Sequence, residues 1–158
     1  MERILVFSDT HGDYGEALDI FDRILGVTGV IHLGDYVKDA EKIENYVYPV
    51  PVYFVSGNND YMSPFPSEKM IELGGKRIFL THGHRYVSYS DISRLITEGE
   101  RQKADIVLYG HTHIPFYERK NGIIYANPGS ISHPRNSDES YGVLEIENGK
   151  TGYSNIFI

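Results

Sequence analysis

The sequence predicts an α/β fold, on three observations. Strand-like and helix-like segments alternate through the first half; paired apolar runs joined by Gly-Gly or Asn-Gly turns fill the second; and an apolar run stops at a small-residue or polar cluster six times. With 158 residues and no low-complexity or Pro-rich linker, the chain reads as one domain over residues 1–158, long enough to bury a core without disulfides.

The first strand is Ile4 to Phe7. Asp13 and Glu16 then stand at capping-box spacing, and Leu18, Phe21, Ile24 and Leu25 recur at helical intervals, predicting a helix over about Tyr14 to Leu25. A second strand is read at Val30-Ile31-His32-Leu33, a weaker helix at about Val37 to Tyr46, and a third strand at Val52-Tyr53-Phe54-Val55. This βαβαβ order implies parallel strands with crossover helices. In the second half, Met70 to Leu73 and Arg77 to Leu80 flank Gly74-Gly75, while Asn121-Gly122 and Asn148-Gly149 are further turn signals, so antiparallel hairpins are expected. One more helix is predicted over about Asp91 to Lys103, with Ser90 as its cap and Ile92, Leu95 and Ile96 facing inward.

A formal net charge of -7 opposes a broad electrostatic footprint for nucleic acid or an anionic membrane, so neither an extended nucleic-acid surface nor a membrane partner is expected. Any phosphate ligand would need a local source of positive charge. The absence of cysteine excludes disulfides, thiolate catalysis and cysteine-type zinc sites, leaving nitrogen and oxygen to hold a metal. The apolar run ending at Phe7 is too short for a signal peptide or membrane span, and a cytoplasmic location is the simplest expectation.

The six terminating clusters are SDTHGD after Phe7, GD after Leu33, SGNND after Val55, THGH after Leu80, GHTH after Tyr109 and NPGS after Ala126. In open α/β sheets ligands bind beyond the carboxyl ends of the strands, so parallel neighbours would bring these loops to one edge. The loops carry Asp9, His11, Asp35, Asn58, His82, His111 and His113, all able to offer nitrogen or oxygen to a divalent ion. In Asp9-x-His11 and His111-x-His113, alternate residues of an extended segment would point the same way, so each pair could grip one or two ions.

The ordered motifs D-x-H (Asp9, His11), G-D (Gly34, Asp35), G-N-x-D (Gly57, Asn58, Asp60), T-H-G (Thr81 to Gly83), G-H-T-H (Gly110 to His113) and N-P-G-S (Asn127 to Ser130) resemble the calcineurin-like metallophosphoesterase superfamily. Within it, the chain is most similar to the small one-domain YfcE-type phosphodiesterases of bacteria and archaea. The resemblance implies two mixed β-sheets packed as a sandwich flanked by helices, the four-layer metallophosphoesterase-like fold. It also implies a binuclear centre, with Asp9, His11, Asp35 and His113 on one ion, Asp35, Asn58, His82 and His111 on the other, and Asp35 as the bridge. Two divalent ions are therefore the expected cofactors, manganese first, with iron, nickel, cobalt or zinc as alternatives suited to mixed imidazole, carboxylate and amide ligation. The expected reaction is hydrolysis of a small phosphodiester by a hydroxide bridging the ions. Alternatives are a phosphomonoesterase or cyclic-nucleotide phosphodiesterase on the same centre, or a metal-binding scaffold of the kind retromer builds on this fold; homo-oligomerisation stays open.

One position departs from the pattern. Many relatives have a histidine after the motif asparagine, where this chain has Asn59, which can donate a hydrogen bond but cannot deliver a proton. Asn59 and His84 are therefore the candidate catalytic residues, and Asn59, His84 and Arg135 the candidate substrate contacts. Activated diesters are expected to react better than alkyl monoesters. His32 is read as a hydrogen-bonded core residue, His133 as a loop residue with phosphate contact as its alternative, and Asp60 as a brace for the GNND loop. Tyr36, Tyr61 and Tyr86 follow motifs closely, and ordinary packing is favoured for them over stacking on a substrate ring.

Overall fold

In the computed structural model, which describes all 158 residues, side chains alternate along the first strand, β1 (Glu2–Phe7): Ile4 and Val6 enter one apolar cluster, Leu5 and Phe7 another. A strand buried on both faces needs a layer on each side. One five-stranded sheet has the order β10 (Lys150–Phe157), β9 (Ser140–Glu147), β1, β2 (Gly29–His32), β3 (Val52–Phe54). The second has the order β4 (Glu68–Leu73), β5 (Lys76–Thr81), β6 (Ile106–Tyr109), β8 (Ile123–Asn127), β7 (Phe116–Lys120).

The sheets share a core of residues such as Val6, Ile31, Leu33, Leu80, Leu108 and Ala126. On the outer side of the first sheet, α1 (Gly15–Arg23) and α2 (Val37–Val47) bring Ala17, Ile20, Ile43 and Val47 against Leu5, Phe7 and Val30. On the outer side of the second, α3 (Ser93–Arg101) packs Leu95 against Phe79, Val107 and Tyr125. The result is the expected α/β sandwich in four layers. No helix is long and apolar enough to cross a membrane.

β1, β2 and β3 are mutually parallel, with Phe7 opposite His32 and His32 opposite Phe54. In the other sheet β5, β6 and β8 are parallel, with Thr81 opposite Tyr109 and Leu108 opposite Ala126. These are the six strands that precede the polar clusters, so all six loops leave from carboxyl ends. The expectation of antiparallel pairing in the second half holds for the hairpins β4–β5, β7–β8 and β9–β10 and fails for the centre of that sheet, where α3 supplies a crossover. Each hairpin turn has two left-handed central residues, at Gly74-Gly75, Asn121-Gly122 and Asn148-Gly149, the conformation that matches strand twist.

Local details differ at the helix ends. The Asp13 and Glu16 capping box does not form; Tyr14 precedes α1 with no side-chain cap, and Glu16 instead accepts from Arg23 at 2.7 Å. Leu25 lies beyond α1 in water. At α3, Asp91 rather than Ser90 meets the free N–H, accepting from Ser93 at 2.9 Å. For α2 the partner comes from a distant loop: Asp60 Oδ1 accepts from Tyr36 N and Val37 N, both at 2.8 Å. Spacing along the chain cannot reveal a cap that arrives from another segment.

His32 is fully buried, as expected of a core residue, and its polar atoms are satisfied. Its Nδ1 accepts from Gly34 N at 3.2 Å, so Nε2 carries the proton and donates to Thr10 Oγ1 at 2.9 Å, which in turn donates to the buried Asp39 carboxylate at 2.5 Å. Asp39 also accepts from Gly12 N at 2.8 Å, tying α2 to the loop after β1. Burial, opposed by the nearby Asp39 charge, holds the His32 imidazole below its ordinary value of 6.5. The unfolded chain therefore takes up a proton that the folded chain resists, so this contribution to stability is full above pH 6.5 and is lost as pH falls below it. Replacing His32 by Gln should flatten the dependence on pH of the unfolding free energy, taken from urea denaturation, in this acidic range by up to about 1.4 kcal/mol per pH unit; an identical slope in the variant would contradict the buried neutral imidazole.

Candidate metal centre

Five of the seven candidate ligand residues have left-handed backbone: φ is 55° at Asp9, 49° at His11, 56° at Asp35, 71° at His111 and 60° at His113. Extended geometry, expected for the D-x-H and H-x-H pairs, is therefore absent; each side chain is aimed by a turn. Such conformations are uncommon outside glycine and must be held by their surroundings. Asp9 N donates to Gly34 O at 3.0 Å, while Ser130 Oγ donates to Asp9 O at 2.9 Å. Asn127 Nδ2 bonds Gly110 O and Thr112 Oγ1, both at 3.0 Å, so the NPGS segment clasps the two ligand loops that flank it.

The ligand atoms of Asp9, His11, Asp35 and His113 all lie within 4.8 Å of one another. Asp9 Oδ2 is satisfied by Ser8 Oγ at 2.5 Å and His111 N at 3.0 Å, whereas the buried Oδ1 has no hydrogen-bond partner and lies 3.3 Å from His113 Nε2. His113 Nδ1 donates to the carbonyl of His133 at 2.5 Å, which turns Nε2 into the cluster, 3.3 Å from His11 Nε2. A second group forms beside it: His82 Nδ1 donates to Leu33 O at 2.7 Å, and Asn58 Oδ1 lies 3.0 Å from His82 Nε2 and 3.1 Å from His111 Nδ1. Asp35 faces both, with Oδ2 3.5 Å from His11 Nε2 and Oδ1 3.5 Å from His82 Nε2.

Electron pairs thus point at one another across gaps that a proton or a cation must fill. A buried carboxylate oxygen with no donor, in a set of imidazole, carboxylate and amide groups, fits a divalent ion, and backbone carbonyls behind His82 and His113 fix the ring faces as metal sites require. Burial is the largest influence on Asp9 and raises its pKa, but the close approach of the His113 ring and the charges of His82 and His113 overcome it and bring the carboxyl down to about 2. Burial lowers the pKa values of His11 and His111, and it also opposes protonation of His113, whose pKa is nevertheless raised because Asp9 attracts the proton. A proton on His113 occupies the gap that an ion would contest, so metal binding should displace it.

The remaining predicted residues surround this centre. Asn59 is at the site but engaged: its N and Nδ2 donate to the two Asp35 oxygens at 3.0 and 2.7 Å. The His84 ring centroid is 5.5 Å from that of His82 and 6.2 Å from that of His111, with a buried Nδ1 that has no partner, and the residue lines a polar cavity of about 560 Å³ with Ser56, Ser67 and Arg85. Arg135 is exposed, its backbone N donating to His113 O at 3.1 Å, and its charge is felt at both His111 and His113. Asp60 braces the GNND loop as expected, accepting from Gly57 N at 2.7 Å. Tyr86 is a packing residue whose hydroxyl donates to Glu68, while Tyr36 and Tyr61 stand exposed. Ser8 and the carbonyls of Leu33 and His133 went unpredicted; a backbone carbonyl leaves no mark in a sequence.

The calcineurin-like phosphoesterase superfamily domain matches residues 2–149. The chain belongs to this superfamily. It is 34% identical over 147 residues to the probable metallophosphoesterase YsnB of Bacillus subtilis, covering 92% of this chain and 85% of that protein. Phosphodiesterase YfcE of Escherichia coli is 29% identical over 175 residues, covering 92% and 88% of the two chains. Among solved structures, Vps29 of Entamoeba histolytica complexed with Zn²⁺ superposes with a TM-score of 0.76 at 23% identity, covering 98% of each chain, a likeness of fold. The resemblance drawn from the motifs is therefore correct, and the metallophosphoesterase relatives together with the Asp/His cluster imply divalent metals.

Two glycines let the loops approach the centre. A Cβ on Gly34, whose φ is 99°, would lie 2.7 Å from Gly57 N and 2.8 Å from His82 Nδ1; one on Gly57 would collide with Asp35 Oδ1. Gly57→Ala should therefore displace Asp35 and weaken metal binding by about 10- to 100-fold, measured by competition with a chromogenic chelator. Unchanged affinity would show that Asp35 does not need this close approach.

Proposed function

We propose that residues 1–158 form one domain with a binuclear centre that hydrolyses small phosphodiesters. The observation that carries this reading is the position of Asp35, whose two oxygens each lie 3.5 Å from an imidazole nitrogen of a different group. Asp9, His11, Asp35 and His113 would hold one ion, and Asp35, Asn58, His82 and His111 the other. When bound, the two ions would lower the pKa of water and offset the charge of a phosphate, the chemistry that hydrolysis of a stable diester requires. Manganese is the first candidate, since hard calcium and magnesium are poor partners for this much imidazole.

The chain's own residues define the rest. Asp9 stays ionised because His82 and His113 surround it, keeping one oxygen available for coordination. His133 and Leu33 hold the His113 and His82 rings in the tautomers that present Nε2. Arg135 adds positive charge at the rim of a protein whose net charge is -7. His84, which lines the polar cavity beside His82 and His111, would contact a phosphate oxygen or the departing group. Asn59 offers an amide and no transferable proton, so leaving groups that depart as stable anions are favoured over alkoxides. The YfcE relative, named a phosphodiesterase, supports the choice of diesters.

Chelator-stripped protein should be inactive on bis(p-nitrophenyl) phosphate, recover with Mn²⁺, and turn over p-nitrophenyl phosphate more slowly. Failure with every one of Mn, Fe, Co, Ni and Zn would leave a metal-holding scaffold. Asp35→Asn should lower turnover by about 10²-fold or more and reduce the bound metal, counted by elemental analysis, from two ions per chain. Full occupancy with full activity in that variant would remove the bridge from the mechanism.

A further inference from the structure

Beside the candidate metal centre lies an open cleft of about 560 Å³ whose lining includes Tyr36, Lys38, Asn59, Tyr61, Met62 and Phe65. It begins where the candidate ligands end. Tyr36 follows Asp35 and places its ring 5.5 Å from that of His11, and the Asn59 side chain reaches from the cleft to Asp35 at 2.7 Å. A phosphate held at Asp35 therefore has one ester arm within reach of this cleft.

The lining is unusual for a surface exposed to water. Tyr61 is 84% exposed, Met62 101% and Tyr36 42%, so three large apolar side chains crowd one rim instead of being dispersed. Two of them have left-handed backbone, φ 77° at Tyr36 and 55° at Met62, which bulky residues rarely adopt. Asp60 restrains both walls, bonding Tyr36 N and Val37 N on one side and Gly57 N on the other, and Phe65 is backed edge-on by Phe54 at 4.8 Å. The cleft is thus formed before a ligand arrives, at a volume ordinary for small-molecule sites. Its phenol and thioether faces contrast with the polar cavity beyond Gly57, where Ser56, Ser67, Glu68 and Arg85 predominate.

We propose that this cleft receives a planar aromatic arm of the substrate, a nucleobase or an aryl ring, stacked between Tyr36 and Tyr61 with the Met62 thioether against its edge. The phosphate position rests on the phosphodiesterase reading; the aromatic recognition does not. Three p-nitrophenyl diesters that share a leaving group and differ in the other arm (methyl, phenyl or 5′-thymidyl) test it with manganese-loaded protein. At least one aromatic arm should raise kcat/KM at least about tenfold over methyl, the factor that stacking of one ring supplies, and Tyr61→Ala should bring that ratio toward one. The phenyl and thymidyl arms separate an aryl from a nucleoside preference. Independently of turnover, the Met62 methyl, one of three methionine signals, should shift downfield, as the ring current moves an atom at a ring's edge, when thymidine 5′-monophosphate or phenyl phosphate is added to metal-stripped protein, and should not respond to ribose 5-phosphate. Hydrolysis of all three esters at equal rates with a silent Met62 overturns the aromatic cleft and leaves the phosphodiesterase intact; a responsive Met62 with no hydrolysis under any metal does the reverse.

Discussion

Two carboxylates buried side by side, one of them with an oxygen that no donor reaches, set the terms for this protein. Asp9 is wholly buried and Asp35 nearly so, and one Asp9 oxygen has no partner. Withdrawing such a group from water is unfavourable unless opposite charge compensates it. Four histidines and the amide of Asn58 gather around the pair, yet most of them also present electron pairs. The arrangement is completed by a cation, so the folded chain is built toward a bound state.

Holding that arrangement takes much of the surrounding structure. The left-handed turns at the candidate ligands are supported by hydrogen bonds with other motifs: Asp9 N to Gly34 O, Ser130 Oγ to Asp9 O, and Asn127 Nδ2 to Gly110 O. The His32, Thr10 and Asp39 chain anchors the loop after β1 from beneath. These contacts explain why NPGS belongs to the functional pattern although none of its residues is among the candidate ligands. They form a rigid outer frame in which the inner side chains have little freedom to rearrange, as a preorganised site requires.

Charge distribution separates the local chemistry from the bulk character of the molecule. An acidic chain repels phosphates at long range, and salt shortens that repulsion to about a Debye length. At the centre, the ions implied by the family would, with the nearby Arg135, reverse the sign of the local field. Hydrophobic side chains on the adjoining rim then offer recognition that does not depend on charge, which suits a ligand whose anionic group is already engaged. The D-x-H, G-D, G-N-x-D, T-H-G and G-H-T-H residues carry the superfamily resemblance, whereas Asn59, Tyr61 and Met62 lie outside those motif positions.

Much of this was legible from residues alone because it depends on short-range periodicity. The unbroken apolar runs of β1 and β6, the helical spacing of Leu18 and Phe21 and of Ile92 and Leu95, and Asn-Gly turns are local consequences of backbone geometry, and the six apolar runs ending in polar clusters located all seven candidate ligands. Tertiary structure alone decided what crosses between segments. It made β5, β6 and β8 parallel, replaced the expected extended D-x-H and H-x-H pairs with left-handed turns, brought Asp60 to cap α2, and chose Leu33 and His133 as the carbonyls behind the rings. It also separated Tyr36 and Tyr61, which flank an open cleft, from Tyr86, which packs and bonds Glu68. A side chain's chemistry is written in its identity, but its partners are set by which distant loops meet, and that is settled only when the two sheets close on their common core.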